Sequence, residues 1–113
     1  MKRSIIDFIS LSELRMWALS GLWQYPHLIP DADGMAFISS GVALPIFTAM
    51  RNLYEIDQPV TLPNIFIESG KAWDVAIGLA ALPAVTMTEE QARCYLRRLS
   101  KRFDFEEEQY AAA

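Results

Sequence analysis

The sequence predicts a mostly α domain, an irregular assembly of four to five helices with at most two short strands, the alternative being α+β. Three observations carry that expectation. Apolar residues recur at intervals of three and four over residues 11–20, 45–55 and 92–103, the spacing that lines one side of a helix. Ser10, Pro45 and Thr88 stand at the start of those runs, where a capping hydroxyl or an N-terminal proline belongs. The only stretches suited to a strand, 35–39 and 60–67, are short, and the second lies among Pro59 and Pro63.

The first helix is expected from a cap at Ser10 or Ser12 to about Ser20, with Glu13 completing a capping box and Gly21 as its stop. Leu11, Leu14 and Ala18 fall on one side, Met16 and Leu19 on another and Trp17 apart from both, so this helix needs neighbours on several sides. Leu22 to Gly34 carries Pro26, Pro30 and Asp31-Ala32-Asp33-Gly34, which reads as an ordered loop ending in a turn. Trp23, Tyr25 and Leu28 make it apolar for a loop, so it should lie against the body of the domain or against a partner. Met35 to Ser39 is too short for its period to decide between strand and helix start.

From Pro45, residues Ile46, Ala49, Met50 and Leu53 line one side and Thr48, Arg51, Asn52 and Glu55 the other, the pattern of a surface helix ended by Asp57-Gln58-Pro59. Val60 to Ile67 is expected to give a short edge strand. Ser69-Gly70 then introduces a helix to Leu82 with polar side chains only at Lys71 and Asp74, read here as the central buried helix. Its Gly78 costs helix propensity and implies a tightly packed neighbour. In the last helix, over 88–103, Thr88 and Gln91 form a capping box, and Glu89 and Glu90 meet the positive end of the helix dipole. Ala92, Leu96, Leu99 and Phe103 share one side of it, opposite Arg93, Arg97, Arg98 and Lys101.

With 113 residues the chain is expected to form one domain over 1–110 and to bury roughly 65% of its unfolded surface. Ala111-Ala112-Ala113 reads as a cloning remnant outside that fold. The 52% apolar and 21% charged composition is that of a folded protein, and a net charge of −4 disfavours general binding to nucleic acid or anionic membranes. Cys94 has no second cysteine to pair with, and no apolar signal run follows Met1-Lys2-Arg3-Ser4, so a cytoplasmic location is expected. The longest uncharged stretch, Gly34 to Met50, is at the lower limit for crossing a bilayer and is interrupted by Ser39, Ser40, Gly41 and Pro45, so no membrane role is expected.

No catalytic, metal-ligating or cofactor-binding residue is assigned. The single histidine, His27, has no second metal ligand or nucleophile near it in sequence. Asp31-Ala32-Asp33-Gly34 has the middle of a calcium loop but places Ile29 and Ser40 at its first and last ligand positions, which leaves a turn. Cys94 falls between Arg93 and Arg97, where positive charge favours thiolate, but it has no resolving cysteine.

Half of the ten Lys and Arg residues lie between Arg93 and Arg102, and the large apolar groups Trp17, Trp23, Tyr25, Trp73, Met16, Met35 and Met50 exceed what a small core easily hides. The expected function is therefore that of a small protein-binding module, acting as an adaptor, inhibitor, immunity-type protein or chaperone. Its contacts would be Trp23, Tyr25, Arg93, Arg97, Arg98 and Lys101, and its partner another protein or a second copy of itself. The alternative is a nucleic-acid-associated regulator that presents the last helix to phosphates. A third reading, an enzyme, would have to gather the scattered carboxylates Asp31, Asp33, Asp57 and Asp74.

Overall fold

Five α-helices and two 3-10 segments make up the regular structure in the computed structural model, which describes residues 10–37 and 41–112 and their side chains as far as residue 102, Met35 excepted. No strand occurs among the described residues, so the domain is mostly α.

Helix α1, Leu11–Gln24, begins at Ser10, whose hydroxyl accepts a hydrogen bond from the Glu13 amide at 3.1 Å. It runs one turn past Gly21, because at that position a close neighbour is needed and an exit from the helix is not. A Cβ on Gly21 would lie 2.9 Å from Ala92 Cβ, so glycine lets the last helix approach α1 at contact distance. Most of the segment expected as a loop, Leu22 to Gly34, is thus the last turn of α1 followed by a 3-10 helix over Pro26–Asp31. Leu28 and Ile29 carry this segment into the core, as its apolar content requires. A second 3-10 turn, Gly34–Phe37, covers most of the stretch left open between strand and helix; residues 38–40 lie outside the described residues.

Helix α2, Ala43–Glu55, buries Ile46, Ala49, Met50 and Leu53 as the periodicity predicts, and also Ala43 and Phe47. It is more than a surface helix. It touches α1, both 3-10 segments and the two helices that follow it, so it is the hub of the fold. Phe47 stacks on Phe37 with ring centroids 4.7 Å apart, closing the core between α2 and the second 3-10 turn. The chain leaves α2 through Asp57, in the left-handed region at φ 58°, with the Gln58 amide bonded back to the Leu53 carbonyl.

The expected edge strand at Val60–Ile67 is a helix, α3, Leu62–Glu68. Two local signals outweigh β-branched content here. Thr61 caps the helix by accepting from the Asn64 amide at 3.2 Å, and Pro63 sits in the first turn, where its fixed φ suits a helix and its missing N–H costs nothing. Only Ile65 of this helix is fully buried. The helix ends at a left-handed pair, Gly70 and Lys71, with the Lys71 amide returning to the Phe66 carbonyl.

Helix α4, Trp73–Ala80, starts later and ends earlier than the run of apolar residues implies, and it is peripheral where the sequence predicts a central helix. It buries Val75, Gly78 and Leu79 against α2 and α3 and turns the rest outward. The expectation of tight packing at Gly78 holds: a Cβ there would lie 2.6 Å from Val42 Cγ2 and 3.2 Å from Ile46 Cδ1.

Helix α5, Glu89–Ala112, extends past residue 103 through the acidic stretch and into Ala111 and Ala112. Both arms of its capping box form: the Gln91 amide donates to Thr88 Oγ1 at 3.1 Å and the Thr88 amide to Gln91 Oε1 at 2.8 Å. Ala92 and Leu99 are buried and Leu96 is half-buried on the predicted apolar side, while the side chain of Phe103 lies outside the described ones. Helix α5 lies antiparallel to α1, with Gln24 beside Met87, Gly21 on Ala92, and Trp17 stacked on Tyr95 at 5.5 Å.

Candidate interaction surfaces

Four side chains near the C-terminal end of α1 hold the segment that leads into α5. Ser20 donates to the Pro83 carbonyl at 2.7 Å, and Gln24 donates to the Val85 carbonyl and accepts from the Met87 amide, both at 3.0 Å. Tyr25 donates its hydroxyl to the Met87 carbonyl at 2.7 Å. The polar end of Tyr25, proposed from sequence as a partner contact, is therefore used within the domain, and Trp23 is half-buried against the core. The fourth group, His27, is exposed, stands edge-on to Tyr25 and contacts Glu89 Oε1 through Nε2.

The basic residues of α5 divide. Arg93, Arg97 and Lys101 are exposed, whereas Arg98 is half-buried. Arg93 reaches back to Glu89 at 3.5 Å, so Glu89 links the 3-10 segment to the first turns of α5. A shallow groove of about 380 Å³ runs beside α5, with Arg93, Leu96, Arg97 and Ser100 on one wall and Leu28, Asp31 and Asp33 on the other. Each wall carries a different sign of charge, which lowers the positive potential that Arg93 and Arg97 would produce alone. Cys94 is half-buried.

The carboxylates named for an enzyme do not converge as a set. Asp31 and Asp33 border this groove, Asp57 takes the left-handed position just after α2, and Asp74 lies in the first turn of α4, where its own side chain accepts from the Val75 amide. Among the described residues no three His, Cys, Asp or Glu side chains are placed to hold a metal ion. A second groove, of about 510 Å³, lies between the first 3-10 segment and α2, with Phe47 and Ile29 in its lining and Arg51, Tyr54 and Glu55 at its α2 side.

The surface that sequence reasoning missed is the outer side of α4. Trp73 is 78% exposed and Ile77, one turn on, is 56% exposed, with the exposed Ala80 and Ala81 following. Val85, in the segment after α4, is 56% exposed as well. The signal was present as Trp73 and Ile77 at i, i+4 in a helix almost free of charge, but such a pattern fits a buried helix equally well.

Among the described residues no helix is long and apolar enough to cross a membrane. The fold and its surfaces define a small helical domain with exposed apolar side chains. No family model, no curated protein and no solved structure matches this chain.

Proposed function

We propose that this protein is a non-catalytic binding module whose partner is another protein, held through the outer side of α4. The observation that carries this reading is the exposure of Trp73 and Ile77 side by side on one helix. Each side chain leaves apolar surface in water whose burial would be favourable, and large exposed apolar groups next to one another mark interaction sites. Tryptophan is also the residue type most often found as an energetic anchor in interfaces. Adaptor, inhibitor, immunity-type and chaperone-like roles all share this requirement.

The phosphate-binding alternative has less support. Asp31 and Asp33 face the same groove as Arg93 and Arg97, Glu89 engages Arg93, and the chain carries a net charge of −4.

The test compares proteins co-purified from the native host with the intact chain and with Trp73→Ser/Ile77→Ser, quantified by mass spectrometry. A stoichiometric protein retained by the intact chain and lost from the variant is the expected result. Identical recovery from both, with the variant still helical by circular dichroism, would refute the assignment of this surface.

A further inference from the structure

We draw no further inference here: the strongest candidate, the groove between the first 3-10 segment and α2, carries Arg51 and Glu55 together in a lining shared with Ile29 and Phe47, and nothing in the structure shows what covers it.

Discussion

Helices α2 and α4 pack against each other at Gly78, and each takes the place the other's composition suggests. Helix α4 is almost free of charge and leaves Trp73 and Ile77 in solvent; α2 has a polar side, yet it touches nearly every other element. Length and position in the chain account for the difference. Two turns of helix, held between the left-handed exit at Gly70-Lys71 and the irregular segment from Ala81 to Thr88, offer only one side to the core. Thirteen residues of α2, flanked by both 3-10 segments, can be surrounded. An apolar helix that cannot be surrounded within its own domain is where a partner should be sought.

The largest loss of stability is expected at Phe47 of α2. Truncation to alanine removes the ring stacked on Phe37 and should cost about 3–5 kcal/mol, read as a lowered urea midpoint with an unchanged slope. A midpoint shift below about 1 kcal/mol would deny α2 its central place.

An intermediate effect is expected at the junction. In an exposed helix, glycine to alanine gains nearly 1 kcal/mol of helix propensity. Gly78→Ala should reverse that sign and destabilise by about 1–3 kcal/mol, because the new Cβ meets Val42 and Ile46. Stabilisation by this substitution would mean that α4 is not seated against α2 as described.

The smallest effect belongs to the outer side of α4. Ile77→Ser should change stability by no more than about 0.5 kcal/mol, since the side chain is largely in solvent already. A cost near that of a core residue would place Ile77 inside the fold and remove it from the proposed contact surface.

The elements legible from sequence are those with a chemical signature at their ends. Thr88 and Gln91 form the reciprocal cap that their spacing implies, Ser10 caps α1, and Ile46, Ala49, Met50 and Leu53 are all buried. Thr61 and Pro63 carried an equally local signal, which the β-branched content around them obscured. Arg15 could not have been read: it is buried, and its Nε donates to the Ala36 carbonyl at 2.6 Å, tying α1 to the second 3-10 turn across 21 residues of sequence. For the candidate site, the surplus of large apolar groups implied that some of them would stand in solvent, but not which. Tyr25 and Trp73 are both aromatic residues at helix ends; one hydrogen-bonds inside the domain and the other is largely in solvent.

The helical class, the caps, the apolar side of α2 and the charge order along α5 follow from local sequence, because each depends on residues within one or two turns of one another. Tertiary structure alone decided that Gly21 is a contact point with Ala92, that Gln24 and Tyr25 hold the approach to α5, and that α4 lies at the edge. Those outcomes depend on which distant segment arrives opposite a residue. Helical periodicity marks which side of a helix is to be covered, and only the packed chain determines whether the cover comes from within.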